Sequence, residues 1–163
     1  MPNGRSWVTR LRQNHALEHA TIHVLSQRRR DLRVLGRSDF LGFVLWGGLS
    51  TEEVASAALE ALSRLQRGES ELAVHPRCGT NLATSALLVA SFSFVAMGGK
   101  DRSRWMRFPR LITAALAALL LAQPLGPWVQ AYVTTTPEMA DARIESVMRQ
   151  DRGQLISHRV KMV

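Results

Sequence analysis

The sequence has little cysteine and no apolar segment near its start. Cys78 is the single cysteine in 163 residues, so no disulfide can form within the chain and the fold does not depend on an oxidising compartment. Residues 1–30 lack the apolar core of a signal peptide, because charged residues and histidines interrupt every candidate run. The length predicts one compact unit, or one small domain with a membrane anchor.

Acidic residues are scarce relative to basic ones. The chain has 21 Lys and Arg against 13 Asp and Glu, which gives a formal net charge of +8. Such a balance is typical of proteins that contact nucleic acid or an anionic lipid surface. Aromatic residues do not alternate with the arginine runs, which disfavours specific recognition of RNA or single strands. We therefore expect the lipid bilayer as the partner and no specific nucleic acid.

Two apolar segments predict an integral protein of the cell membrane. Leu82–Gly99 contains no charged residue, and its 18 residues are just enough to cross the hydrocarbon core. Leu111–Val133 is longer, and we expect Pro124 and Pro127 to kink or end its helix. A buried hairpin in a soluble core is the alternative, but so small a core hardly accommodates two uncharged helices. The pattern favours a two-helix membrane hairpin.

The sequence leaves the orientation of this hairpin open. The connecting loop Lys100–Arg110 carries five basic residues and one acidic residue, and the positive-inside rule would place it in the cytoplasm. The flanking segments, however, carry 16 of the 21 Lys and Arg. We lean towards a functional region that faces the cytoplasm.

The remaining pattern predicts an α+β fold: a small mixed domain with a metal-site helix, the membrane hairpin as an insertion, and a C-terminal β-hairpin that returns to the sheet. The corresponding domain boundaries are 1–81, 82–133 and 134–163. The predicted elements outside the membrane are a helix over Trp7–Gln27, strands over Leu32–Leu35 and Phe40–Trp46, a helix from the Ser50–Glu53 capping box to Arg67, a strand over Glu71–His75, and strands over Ile144–Arg149 and Gln154–Met162.

Histidine and glutamate are concentrated in the first predicted helix, where His15, Glu18 and His19 form an H-x-x-E-H motif. Residues four apart lie on one helix face, so the two imidazoles can bind one zinc ion, with Glu18 about 60° around the helix. The order of residues is that of the inverzincin metalloproteases. His23 continues the row, but the outer histidines are about 12 Å apart along the axis and cannot share an ion. The alternative is an amphipathic helix whose polar face is solvated.

A second polar cluster, H-P-R-C-G-T-N, spans residues 75–81 directly before the first apolar segment. Together the two clusters resemble a family of uncharacterised bacterial membrane proteins, the YqhQ-like group, described as predicted metal-dependent enzymes. These proteins carry H-G-A-E-H-K-x-I followed by H-P-R-C-G-T-S. The resemblance covers roughly residues 14–98 and departs at Leu17, Ala20 and Asn81. The chain is also similar to a smaller domain-of-unknown-function family with nearly this layout. The resemblance implies metal chemistry but names no reaction.

A zinc ion on His15 and His19 needs a further protein ligand, and His75 is the first candidate, followed by Cys78. Binding by all four would give a closed, structural site. A downstream glutamate is the ligand that corresponds to the inverzincin pattern, and the candidates are Glu52, Glu53 and Glu60. His158, on the apolar side of the last strand, is more often a core residue than a ligand. Another divalent metal is an alternative to zinc.

The open form of this site predicts hydrolysis. Glu18 would act as the general base on a metal-bound water. Arg77 would neutralise developing negative charge, or anchor to phosphate at the lipid surface. Asn81 and the turn before it would offer donors to an oxyanion, or only cap the first membrane helix.

Three functions therefore compete. The first is a membrane-bound, protease-like zinc hydrolase that acts on a peptide or a lipid-linked group at the membrane surface. The second is a non-catalytic membrane protein with a structural zinc site. The third is a basic module that binds anionic lipid.

Overall fold

The structure, a computed structural model, describes residues 6–98, 104–152 and 155–163. By internal contacts the chain divides into two compact units. Unit 1 comprises Met1–His75 and Ala131–Val163, and unit 2 comprises Pro76–Gln130. The fold is mixed α+β, as the sequence predicts.

The elements follow in chain order. The helices are α1 (Trp7–Arg28), α2 (Thr51–Gln66), α3 (Gly79–Met97) and α4 (Arg104–Val129), and the strands are β1 (Leu35–Asp39), β2 (Gly42–Trp46), β3 (Ile144–Arg152) and β4 (Leu155–Met162). A short 3-10 helix covers Ser70–Ala73, and a π-helical turn, Gln130–Thr134, extends α4.

Unit 1 is a four-stranded antiparallel sheet with two helices packed against one face. The strand order is β1-β2-β4-β3, so the predicted C-terminal hairpin does return to the sheet. Phe43 on β2 pairs with Val160 on β4, and both are fully buried. Residues of α1 and α2 complete this core. Helix α1 contacts β1 and β2, and α2 contacts β3 and β4.

The N-terminus of α2 follows the local sequence signal. The Ser50 side chain accepts from the Glu53 backbone N–H, while the Glu53 carboxylate accepts from the Ser50 N–H. This second hydrogen bond is the main cause that lowers the pKa of Glu53. Gly68 ends the helix region with φ +93°, a conformation that favours glycine.

The first predicted strand is displaced. The prediction placed a strand over Leu32–Leu35, but β1 begins at Leu35 and includes Gly36 and Ser38, residue types that locally favour a turn. The actual turn is Phe40–Leu41, followed by Gly42 at φ +142°. The sequence of β1 is polar and contains glycine, so by itself it favours a turn. It forms a strand because it pairs with β2 and packs against α1.

The predicted strand over Glu71–His75 is wrong as well. Ser70–Ala73 forms a 3-10 helix, and the next carbonyls bind side chains of α1 instead of a neighbouring strand. His75 therefore does not follow a strand of the sheet, whose described strands are β1, β2, β4 and β3.

Unit 2 is a pair of helices, α3 and α4, in contact with each other. Within the described ranges, Gly79–Met97 and Arg107–Thr134 are the helices long and apolar enough to cross a membrane. Pro124 and Pro127 lie inside α4 and do not end it. Residues 99–103 of the predicted basic loop and residues 153–154 of the C-terminal turn lie outside the described ranges.

Candidate metal centre

The helix α1 carries the H-x-x-E-H motif, in which Glu18 and His19 are buried and His15 is half-buried. Glu18 is 6% exposed and His19 is 2% exposed. Gln13, Asn14 and Thr21 are buried too. The alternative of a solvated polar face is therefore wrong. Burying so many polar groups is costly unless each finds a hydrogen-bond partner, so their partners define the site.

His15 and His19 are hydrogen-bonded in the same way. The Nδ1 atom of His15 lies 3.1 Å from the Thr134 carbonyl oxygen, and Nδ1 of His19 lies 2.8 Å from that of Ala73. A carbonyl only accepts, so each Nδ1 carries the proton and each Nε2 carries the ring's lone pair. The ring centroids are 4.4 Å apart. Metal-binding histidines characteristically have this second hydrogen bond to a carbonyl or carboxylate.

His23 takes the opposite tautomer. Its Nε2 lies 3.0 Å from the Val74 carbonyl oxygen and therefore donates. The His75 ring packs edge-on against His23 at 5.0 Å and lies 5.8 Å from His19 between centroids. The structure thus brings His75 beside the row of histidines on α1.

Glu18 extends from α1 to strand β1. Its carboxylate accepts a short hydrogen bond from the Ser38 hydroxyl, and it lies directly against Gly36. One helical turn earlier, the Asn14 amide donates to the Asp39 carbonyl at 2.7 Å. These contacts fix α1 on β1 along one side, while the histidines contact other segments.

Cys78 begins helix α3 in unit 2. It is the N-cap residue, and its Sγ accepts from the Thr80 N–H at 3.4 Å. A helix N-terminus favours a negatively charged group such as a thiolate. The chain keeps the Cα atoms of Cys78 and His75 within about 11 Å of each other. Arg77, between them in sequence, is exposed.

Asn81 connects three parts of unit 2. Its Nδ2 donates to the Pro76 carbonyl at 3.0 Å, and its Oδ1 accepts from Nε2 of the fully buried Gln130 at 2.5 Å. Gly126 is required for this contact, because a Cβ there would lie 2.6 Å from Oδ1. Both ends of the Asn81 amide are thus engaged within the helix pair, which is a packing role.

The glutamates of α2 pair with arginines of α1. Glu60 binds Arg28 at 2.6 Å, and Glu53 lies 3.5 Å from Arg29. All four side chains are about 40% exposed or close to it, and Glu52 is exposed. These contacts are surface ion pairs. His158 faces the core beside Val160 on β4 and is fully buried.

Sequence reasoning missed the partners of the motif. The Ala73 and Thr134 carbonyls belong to the backbone, so no residue type marks them. Gly36 and Ser38, the partners of Glu18, can be noticed in the sequence as a glycine and a serine two residues apart. The same pattern also fits a turn, so it does not identify them as partners. Arg12 was missed too: its guanidinium donates to the Thr135 carbonyl at 2.7 Å, which fixes the segment that carries Thr134.

Comparison with known proteins places the chain in a family. Residues 10–147 match the family model described as a domain of unknown function, DUF6391. The chain belongs to the DUF6391 family. The match includes both polar clusters and both apolar helices, and it confirms the expected similarity to a domain-of-unknown-function family.

A relative of this DUF6391 protein is known from a cyanobacterial strain. An uncharacterized protein of Picosynechococcus sp. (strain ATCC 27264 / PCC 7002 / PR-6) is 33% identical over 161 residues, which cover 93% of this chain and 78% of the relative. No solved structure matches the chain.

Proposed function

We propose that the protein is a membrane-bound, metal-dependent hydrolase in which His15 and His19 hold one divalent ion and the second polar cluster supplies a further ligand, Cys78. The observation that carries this proposal is the tautomer of the two histidines. Both donate Nδ1–H to backbone carbonyls, so both Nε2 atoms are in the form that binds a metal.

The chemistry of the donors favours zinc. Imidazole nitrogen and thiolate sulfur are the ligands that zinc prefers, and a site with three protein ligands keeps a fourth position for water. The N-cap position of Cys78 supports its role, because the helix terminus stabilises the charged sulfur. When bound, the ion would supply Lewis acidity and a water that ionises near neutral pH.

Glu18 is the proposed general base. It is the buried carboxylate of the motif, one residue before His19, and it would accept the proton of the attacking water and return it to the leaving group. Arg77 is exposed, and its guanidinium would neutralise negative charge that develops on the substrate. For Asn81 the packing role within unit 2 is the stronger interpretation.

The substrate is proposed to lie at the membrane surface. No residue of α3 is buried, and exposed apolar side chains occur along the whole helix, as lipid contact requires. A peptide segment or a lipid-linked group would reach a site tied to such a hairpin. The resemblance of both polar clusters to the YqhQ-like group supports metal-dependent chemistry.

A structural metal site is the second candidate. It is favoured by His75, whose ring lies beside His19 and which would close the coordination sphere as a fourth ligand. In that case Glu18 would only connect α1 to β1 through Ser38.

Metal content tests the ligands that both candidates share. We would measure it by mass spectrometry on detergent-purified protein, after zinc is added and excess removed. The proposal expects about one zinc per chain, its loss in His15→Ala and in Cys78→Ser, and its retention in Glu18→Gln. His23→Gln is the matched control, because it alters the same row of histidines at a residue of the opposite tautomer.

Activity separates an open site from a closed one. Hydrolysis of a fluorogenic peptide library in proteoliposomes should fall about 100-fold or more in Glu18→Gln, the usual contribution of a general base. A variant that keeps both zinc and full activity would eliminate Glu18 as the base. A wild-type protein that binds no metal would leave only the basic lipid-binding module.

A further inference from the structure

We infer that Gly36 and Ser38 of β1 are positioning residues for Glu18: together they form a recess that holds its carboxylate in one orientation. The inference deepens the proposed function and rests on it, because a base must be held at a defined place to act on a water. Neither residue belongs to the two polar clusters.

Gly36 provides the space. A Cβ at this position would lie 2.7 Å from Cδ and 2.9 Å from Cγ of Glu18, and it would also overlap the Oε1 atom. Real Cβ contacts are longer than this. Gly36 is not among the glycines with positive φ, so backbone conformation does not explain its presence. The absence of a side chain is what Glu18 requires.

Ser38 provides the hydrogen bond. It lies two residues after Gly36 on the same face of β1, and its hydroxyl donates to the Oε2 atom of Glu18. One carboxylate oxygen therefore lies over the glycine while the other is bound by the serine. The pairing of Gly36 with Leu45 and of Ser38 with Phe43 anchors the recess to a buried strand.

The recess matters because a glutamate side chain has three rotatable bonds. Without a fixed position it would sample several rotamers, and only some would place the carboxylate where a base is needed. The hydrogen bond from Asn14 to the Asp39 carbonyl, 2.7 Å long, holds the helix and the strand at constant spacing. Glu18 is thus positioned from both elements.

A stability cycle tests the recess itself. In full-length protein in detergent, Gly36→Ala should lower the thermal midpoint by about 5 °C, the effect of overpacking a buried contact. In a Glu18→Ala background the same change should cost little, since the obstructing side chain is gone. Gly48→Ala is the matched control, because no atom lies within 4 Å of a Cβ there. Equal decreases of the thermal midpoint in both backgrounds would show that Gly36 does not make room for the Glu18 side chain.

Cobalt(II) binding tests the positioning role. Cobalt added alone to the apoprotein reports its ligand field in the visible spectrum, and a carboxylate that acts on the metal-bound water would alter that field. We expect Glu18→Gln and Ser38→Ala each to change the spectrum while cobalt stays bound, and the double variant to show no further change. Ser38→Thr keeps a hydroxyl and should restore wild-type behaviour.

The two proposals fail in different ways. If cobalt binds and Glu18→Gln changes the spectrum while Ser38→Ala does not, the positioning inference is wrong and the metal site stands. The same holds if the spectral changes of the two variants simply add. If the wild type binds no cobalt, the proposed function is wrong, and the role of Gly36 and Ser38 in aligning a base fails with it.

Discussion

The two units of this protein differ in which polar side chains are buried and which apolar side chains are exposed. In unit 1 the central helix buries Glu18 and His19, each with a hydrogen-bond partner. In unit 2 the helix α3 has Leu87 at 69% exposed and Phe94 at 80% exposed. Unit 1 combines an apolar core with a few buried polar groups, whereas unit 2 has helices long and apolar enough to cross a membrane.

The composition of the whole chain, with a net charge of +8 and 46% hydrophobic residues, does not show this contrast. It averages a unit with an apolar core and a unit with exposed apolar helices. Burial of the polar groups of α1 costs desolvation free energy, which their hydrogen bonds offset. The proposed metal site would give His15 and His19 a role beyond these contacts.

The largest expected effect comes from placing a charge on an exposed residue of each unit. Leu87→Arg, near the middle of α3, should cost about 3 kcal/mol of insertion free energy, because arginine is unfavourable at the centre of a bilayer. Leu59→Arg, on α2 and 59% exposed, should cost about 0.5 kcal/mol or less. The membrane-bound fraction after alkaline extraction measures the first and thermal unfolding the second. Equal tolerance of both changes would show that α3 does not face lipid.

A second test removes a buried polar group from unit 1. With chelator present, His19→Ala should lower the free energy of unfolding by about 3 kcal/mol, because it leaves a cavity and deprives the Ala73 carbonyl of its donor. Added zinc should widen the gap between variant and wild type, since only the wild type gains from binding. Denaturant unfolding measures both values.

His23→Ala serves as the control for that test. Its imidazole is half-buried and binds the Val74 carbonyl, so its loss should cost about 1 kcal/mol. The zinc-dependent gain should remain complete. A gain that disappears would mean that His23 is itself a ligand.

A third test concerns the polar contact inside unit 2. Asn81→Ala and Gln130→Ala should each destabilise the helix pair, and the double-variant cycle should give a coupling of about 1 kcal/mol for their hydrogen bond. Unfolding in mixed detergent micelles is the measurement. A coupling near zero would mean that the helix pair is held by apolar packing alone.

The smallest effect depends on pH and is confined to unit 1. Folding lowers the pKa of Glu53 below its ordinary value of 4.5, first through the backbone hydrogen bond of Ser50. A lowered carboxyl pKa stabilises the fold above pH 4.5, and this contribution is lost as the pH falls through the folded value. The difference in thermal midpoint between wild type and Glu53→Ala should therefore shrink on acidification. Glu52→Ala, an exposed neighbour, should show no such trend.

Local signals predicted the parts of the fold that local physics controls. The α2 capping box and the C-terminal hairpin depend on residues close in sequence, and the structure confirms them. Strand β1 was misplaced because its Gly36 and Ser38 pair with β2 and receive Glu18, a residue far away in the chain. The segment before His75 failed for the same reason, since its carbonyls bind histidines of α1.

The sequence by itself determined the spacing of His15 and His19, the two membrane-length apolar helices and the α+β class, because periodicity and composition act over a few turns of chain. Only the tertiary structure decided which imidazole nitrogen carries the proton and where the Glu18 carboxylate is held. Those choices depend on the Ala73 and Thr134 carbonyls and on the space above Gly36. No residue type in the sequence identifies which backbone carbonyl or which free space will lie beside the motif, because only folding brings these groups together.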